Sequence, residues 1–522
     1  MFRFLLAASA VVIVTTPAAA QNHVHEAGQL GTVQFETSCT KAASPLFNRG
    51  VAWLHSFEFG AAIASFEQAL AADPQCAMAH WGIALSRWTN PMSVAQRSEA
   101  LLKRGADAIA SARNISGDRA TQREKDYIAA ATELYKDFAT VSQASRVAAY
   151  ERAMSVLAAK YPQDTEAAIF HAISLVAAAS PSDKTYANQK RAGAILESLW
   201  VKQPEHPGLA HYIIHTYDYP ALANEASTAA RRYATIAPAA AHALHMPSHI
   251  FTRTGQWHES IATNSKSRTI AERTGAIAEA LHALDYSVYA YMQLQRYPEA
   301  KRIIDALPAL ASKFDVNAIT GAATGSAGVF ALAAIPTRYA LERGAWAEAA
   351  SLQPQRSDFR WADATIFFAR ALGSARSGKT ADARAAVDSL AAISASLAAA
   401  REAYWSEQVA IQHLASQAWL DLAEGRADSA LSRMKQAAVR EDATEKSAVT
   451  PGPLAPAREL LGDMLLELRR PAEALMEYRR TLAKEPNRFR SLTGGIRAAE
   501  ASGDSRAASE LRKALDGMKK EG

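Results

Sequence analysis

The chain has 522 residues, and its 57 Lys and Arg residues nearly balance 52 Asp and Glu residues, which leaves a formal net charge of +5. This length exceeds one ordinary hydrophobic core, so several domains or one repeat array are expected. The basic residues are spread along the chain, which argues against a nucleic-acid partner. Alanine is abundant while 25 glycines and 20 prolines are few for this length, and this composition favours helix.

Residues 1–20 predict a Sec-type signal peptide. Arg3 supplies the positive start, residues 5–14 form a short apolar run, and three alanines offer a cleavage site near Ala20. The sequence contains no later run of about 18 apolar residues, so the protein left by cleavage is expected to be periplasmic or secreted, with no membrane span. An uncleaved membrane anchor is the alternative.

Residues 21–43 lack helical periodicity and predict an extended N-terminal arm. Cys39 in this arm and Cys76 are the two cysteines of the chain. An even pair in an exported protein predicts a disulfide, which would tie the arm to the second helix of the first repeat. Two separate buried thiols are the alternative.

Residues 44–200 predict the N-terminal helical repeats. Gly50 and Ala62 are small where two antiparallel helices cross, and Trp53 and Phe66 fill the space between them. With Ala69 and Pro74 they match a helical-hairpin repeat of 34 residues. Further on, helices are predicted over residues 106–135 and 146–179, with a Pro-rich break at 178–183.

Residues 301–522 predict the C-terminal repeats. Looser copies of the hairpin turn begin at Gly344, Gly378, Gly425, Arg469 and Gly503, after two earlier copies at residues 255 and 295. The last complete copy matches the repeat at Gly462, Ala474, Tyr478 and Pro486. A second Pro-rich break is predicted at residues 449–456.

These repeats resemble the tetratricopeptide superfamily. The mature chain is similar to large exported bacterial tetratricopeptide proteins of unassigned function. The residues that carry this likeness are 54–57 with 73–74, 76–82, 242–251, 449–453 and 486–489. The resemblance implies an all-α superhelix (an α-solenoid) that binds a protein or peptide on its concave face, and it implies no catalytic residues.

Residues 201–300 are rich in histidine. His211 and His215 lie four residues apart, so on a helix both imidazoles share one face within reach of one metal ion. His245 and His249 repeat this spacing, with Pro247 between them, which requires a helix to begin near the proline. These four histidines predict a site across adjacent helices that suits zinc or copper. Asp218 or Glu205 is expected either as a carboxylate ligand, which would add iron or manganese, or as a carboxylate that holds a ligand in place.

Structural packing against nearby tyrosines is the favoured alternative for these histidines, and it needs no cofactor. No HExxH motif is present. Further candidates for binding a ligand or partner are His206, His242, His282 and Asp285. Two basic residues, Arg458 and Arg488, are candidates for binding a peptide carboxylate.

We therefore predict an all-α tetratricopeptide-type superhelix that acts as an exported, non-catalytic protein- or peptide-binding scaffold. The alternative is a metal-binding protein or metal-dependent enzyme centred on the four paired histidines.

Overall fold

The computed structural model describes residues 29–93, 96–354 and 357–520. Across these ranges the regular structure consists of 25 α-helices and one short 3-10 helix, without a strand. This confirms the all-α fold class. Among the helices so described, none combines the length and apolar character needed to cross a membrane. The predicted signal peptide and residues 21–28 of the predicted arm lie outside the described residues.

The N-terminal helices pack in successive pairs, α1 with α2, α3 with α4, α5 with α6 and α7 with α8. Their bounds are α1 Ser44–His55, α2 Phe59–Ala72, α3 Ala77–Trp88, α4 Glu99–Ile115, α5 Gln122–Thr132, α6 Gln143–Lys160, α7 Thr165–Ala177 and α8 Ala187–Trp200. The prediction of one continuous helix over residues 106–135 and of another over residues 146–179 is wrong. Thr121 caps the start of α5 with Glu124 in a capping box, and Asp164 caps α7, so each stretch divides into two helices.

The central helices carry most of the histidines. Their bounds are α9 Pro207–Tyr217, the 3-10 helix Ala223–Ala226, α10 Ser227–Ile236, α11 Ala241–His245, α12 Pro247–Arg253, α13 Trp257–Thr274, α14 Ile277–Gln293 and α15 Tyr297–Ala311. Every residue of α9, α11 and α12 is buried, and so is nearly all of α14. Polar side chains in these helices must therefore find partners inside the protein.

The C-terminal helices continue the hairpin pattern. Their bounds are α16 Gly325–Glu342, α17 Trp346–Ser351, α18 Arg360–Arg376, α19 Thr380–Ala399, α20 Ala403–Ala423, α21 Ala427–Asp442, α22 Ala457–Glu467, α23 Pro471–Lys484, α24 Phe489–Ser502 and α25 Ser505–Lys520. The predicted breaks at 178–183 and 449–456 fall between α7 and α8 and between α21 and α22.

Small residues let the hairpins pack closely. A Cβ placed on Gly50 would lie 2.6 Å from the ring of Phe66, and one on Gly82 would lie 2.4 Å from the same ring. The last complete repeat uses the same arrangement, since Gly462 and Gly494 both contact the ring of Tyr478. The two ends of the array are therefore built alike.

The described part of the arm, residues 29–43, is without regular secondary structure and crosses the N-terminal hairpins. Phe35 is 1% exposed and packs edge-on against Trp81. The disulfide between Cys39 and Cys76 is present. Cys76 is the residue before α3, so the disulfide joins the arm to the start of the third helix, not to the second as expected.

The C-terminal repeats return to the centre of the chain. The Trp257 indole donates to the carbonyl of Asn487 at 3.0 Å, and the Phe489 amide donates to the side chain of Gln293 at 2.9 Å. Arg338 on α16 pairs with Asp285 and also donates to the carbonyl of Pro453. The loop between α21 and α22 therefore lies over the histidine-bearing helices.

Candidate metal centre

Three histidines from α9 and α11 form the first cluster, which we call triad one: His211, His215 and His242. One ring nitrogen from each lies within 4.8 Å of the other two, and all three side chains are buried. Their Nε2 atoms have no hydrogen-bond partner among the described residues. Such a set of free imidazole nitrogens matches the ligands of a three-histidine metal site.

The Nδ1 atoms of two of these histidines are fixed by acceptors. His211 Nδ1 donates to the backbone carbonyl of His55 at 2.5 Å. His242 Nδ1 donates to Glu279 at 3.1 Å. Although burial alone would raise the pKa of Glu279, the neighbouring imidazole of His242 helps to lower it to about 2, so this carboxylate accepts. Both imidazoles therefore leave Nε2 without a proton when neutral.

Three histidines from α11, α12 and α14 form the second cluster, triad two: His245, His249 and His282. One ring nitrogen from each again lies within 4.8 Å of the others. The Nε2 atoms of His245 and His249 face each other at 3.0 Å. Pro247 occupies the first position of α12, as the sequence required.

The protonated nitrogens of triad two are also determined by their partners. Asn264 donates its amide to the carbonyl of Ser260, so its side-chain oxygen accepts from His245 Nδ1 at 2.6 Å. Asp218 accepts from His249 Nδ1 at 2.8 Å. Burial lowers the pKa of His245 to about 3 and that of His249 to about 4, so both are neutral at pH 7. Two Nε2 lone pairs then face each other.

The two triads are neighbours. The ring centroids of His215 and His249 are 5.9 Å apart, and those of His242 and His245 are also 5.9 Å apart. One pocket is lined by two histidines of each triad: His215 and His242 of triad one, and His249 and His282 of triad two. Its other walls are Asn90, Ser93, Ala322, Ala323, Thr324, Ala327, Ser447, Ala448 and Val449. The centre thus has free space on one side.

Asp218 belongs to neither triad. Its carboxylate accepts from His249, from Arg253 at 2.9 Å and from Lys446 at 2.9 Å. Burial opposes ionisation, but the two cations lower the pKa of Asp218 well below its usual range. In this structure Asp218 thus contacts His249 and the two cations, an arrangement that suits a carboxylate holding a candidate ligand in place.

His55, Glu166 and His206 form a third cluster, whose ligand atoms also lie within 4.8 Å of one another. Glu166 accepts from His55 at 2.9 Å and from His206 at 3.0 Å. Tyr212 contacts the other nitrogen of His55 at 3.0 Å, whereas Nδ1 of His206 has no partner among the described residues. His55 is therefore fully engaged, and this cluster offers fewer free imidazole nitrogens than triad one.

The remaining predicted residues lie in ion pairs away from the triads. Asp285 pairs with Arg338, and both are fully buried. Arg458 pairs with Asp442 and Glu477. Arg488 is buried between Glu342 and Glu459. These two arginines are thus engaged inside the protein.

Sequence reasoning missed the partners that orient the imidazoles, Glu279, Asn264 and Lys446. Glu279 could have been noticed in the sequence, because it precedes His282 by three residues and so shares one face of α14 with it. No sequence pattern indicates Asn264 or Lys446, since their contacts with the centre depend on how distant helices pack.

Comparisons with known proteins find solved structures of low structural similarity and low sequence identity. No protein-family model and no curated protein matches the chain. A human IFIT1 dimer with m7Gppp-AAAA has a TM-score of 0.38 at 11% identity, covering 87% of this chain and 94% of that one. Yeast Tom70 has a TM-score of 0.36 at 12% identity, covering 91% and 99%.

The helical hairpins themselves define the class of fold, which is an α-helical repeat protein. The described residues add to that class two adjacent, buried clusters of three histidines.

Proposed function

We propose that the protein binds two transition-metal ions side by side, one in each histidine triad. The observation that carries this proposal is the 3.0 Å approach of His245 Nε2 to His249 Nε2 while both Nδ1 atoms donate elsewhere. Two facing lone pairs repel unless a cation lies beside them. A shared proton is the other available cation, but the low pKa values of both histidines disfavour it at neutral pH.

The donor set favours copper or zinc. All six ligands are neutral imidazoles, which suit both metals, whereas iron and manganese usually take a carboxylate as well. The nearby carboxylates of Asp218 and Glu279 instead accept hydrogen bonds from His249 and His242. They also supply negative charge close to the ions.

An open coordination position favours reactivity over a purely structural role. Three protein ligands leave a metal ion one free position, as in catalytic sites, and structural sites usually have four. The shared pocket lies beside both triads and would be the place for an external molecule to reach the ions. We therefore propose a metal-dependent enzyme or carrier whose two ions act on one bound molecule.

A disulfide supports a location outside the cytoplasm. The bond between Cys39 and Cys76 is typical of oxidising compartments, which agrees with the periplasmic or secreted location proposed from the sequence.

Protein or peptide binding on the concave face is the second candidate. It is supported by the stacked hairpins, since helical repeat proteins commonly bind partners on a concave surface. It is compatible with the metal centre, although Arg458 and Arg488 are engaged in internal ion pairs.

Metal content tests the proposal. The full chain, made without an affinity tag and loaded with zinc or copper, should contain about two ions, and each of the double variants His211→Ala/His215→Ala and His245→Ala/His249→Ala should contain about one. His80→Ala is the control, because His80 is half-buried on α3 outside the triads. Metal should raise the melting temperature of the wild type and the control.

Absence of bound metal in the wild type, with a melting temperature that zinc and copper leave unchanged, would contradict the proposal. The histidines would then be packing residues.

A further inference from the structure

A second pocket lies next to the histidines and is almost wholly apolar. No charged side chain lines it. Six aromatic residues contribute to its walls: Phe57, Phe59, Trp88, Tyr150, Phe170 and Tyr212. Among the lining residues, Pro91 and Ala177 are half-buried and mark the rim, while the rest are buried. An apolar pocket with aromatic walls suits an uncharged ring.

Phe57 is the partition between this pocket and triad one. Its ring lines the apolar pocket, and the ring centroid is 4.5 Å from that of His211, 5.5 Å from that of His215 and 5.8 Å from that of His242. The neighbouring segment 89–91 has the same position between the two spaces, since Thr89 and Pro91 line the apolar pocket and Asn90 lines the histidine pocket.

We infer that the apolar pocket binds a small, uncharged aromatic molecule and that the Phe57 ring couples its binding to the histidine centre. This coupling rests on the proposed function, because the centre that Phe57 contacts is the one proposed to hold metal. The absence of charged groups from the lining excludes anionic and cationic ligands, since none would find a partner there.

Binding of 2-naphthol to the full chain tests the pocket. Its fluorescence should change in a saturable way, whereas naphthalene-2-sulfonate, of similar shape but charged, should not bind. Ala177→Trp should weaken 2-naphthol binding at least tenfold, because the indole would fill the rim. Ala179→Trp is the matched control, since Ala179 is also half-buried but lies two residues beyond α7 and outside the lining, and it should bind within twofold of the wild type.

Cobalt(II) in place of the native metal tests the link to the centre. Adding 2-naphthol to the cobalt-loaded wild type should shift its visible absorption bands, and Ala177→Trp should abolish the shift. Equal binding by the two tryptophan variants would overturn the inference. Binding that leaves the cobalt bands unchanged would overturn the role of Phe57.

Titration of chelator-treated protein separates this inference from the proposed function. If the chain takes up no metal, the proposed function fails. Saturable binding of 2-naphthol that Ala177→Trp weakens would still establish the aromatic pocket.

Discussion

At the scale of single residues, the centre depends on which nitrogen of each imidazole carries the proton. Asn264, Asp218, Glu279 and the carbonyl of His55 each accept from an Nδ1 atom. These four acceptors turn Nε2 of their histidines toward the shared space. The orientation of these histidines is thus set by groups that contact Nδ1 and leave Nε2 free.

Replacing one acceptor should weaken one triad more than the other. Asp218→Asn removes the charge that fixes His249, so the metal affinity of triad two should fall about 10- to 100-fold. Glu279→Gln is the matched change at triad one, through His242. Competition titrations with a chelator should resolve two binding steps, each weakened by a different variant. An equal loss in both steps from either variant would contradict this assignment.

The sequence predicted part of this centre. The i, i+4 spacing predicted that His211 would join His215 and that His245 would join His249, and the structure brings each pair together. It did not predict that His242 and His282 would complete two triads, because α11 and α14 meet His-bearing helices only through tertiary packing. Asp218 follows α9 closely in sequence, and spacing alone cannot distinguish a ligand from the partner of a ligand.

At the scale of elements, the hairpins depend on glycines at the helix crossings. Gly50→Ala would place a methyl group 2.6 Å from the Phe66 ring and should lower the free energy of unfolding by about 1–3 kcal/mol. Gly517→Ala is the control, because a Cβ there meets nothing within 4 Å and alanine favours helix. Urea unfolding should show loss in the first variant and none in the second. Equal stability of the Gly50→Ala variant and the wild type would mean that this helix crossing accommodates the methyl group.

Helix positions were more predictable than helix ends. The repeat positions of Gly50, Phe66, Gly462 and Tyr478 carry a physical constraint that the sequence displays directly. The division of residues 106–179 into four helices depends on local capping by Thr121 and Asp164, within stretches whose apolar spacing continues across the break. Capping residues interrupt a helix where hydrophobic periodicity gives no warning.

At the scale of the whole molecule, the arm and the first hairpins are joined by Asp73 as well as by the disulfide. Asp73 accepts from the backbone amide of Thr40 at 2.7 Å and from the guanidinium of Arg119. The hydrogen bonds from Arg119 are the main reason that the pKa of Asp73 falls to about 2. Since the folded pKa lies below the unfolded value, this carboxylate stabilises the fold above about pH 4.

Acid should therefore remove this contribution. As pH falls from about 4 toward 2, Asp73 takes up a proton and its stabilisation is lost, an effect of up to about 2 kcal/mol after screening of the partly exposed Arg119. Asp73→Asn should be less stable than the wild type at pH 6, and the difference should shrink at pH 3. Urea unfolding at both pH values measures it. A difference that does not depend on pH would contradict the assignment.

The loop over the centre has a consequence for the order in which the protein is made. All six triad histidines lie between residues 211 and 282, whereas Lys446 and the pocket-lining residues 447–449 come more than 160 residues later in the chain. A growing chain that has reached α14 already carries all six histidines but not the segment that lines the pocket beside them. That side of the pocket can therefore be completed only after the last third of the chain has been made and has folded back.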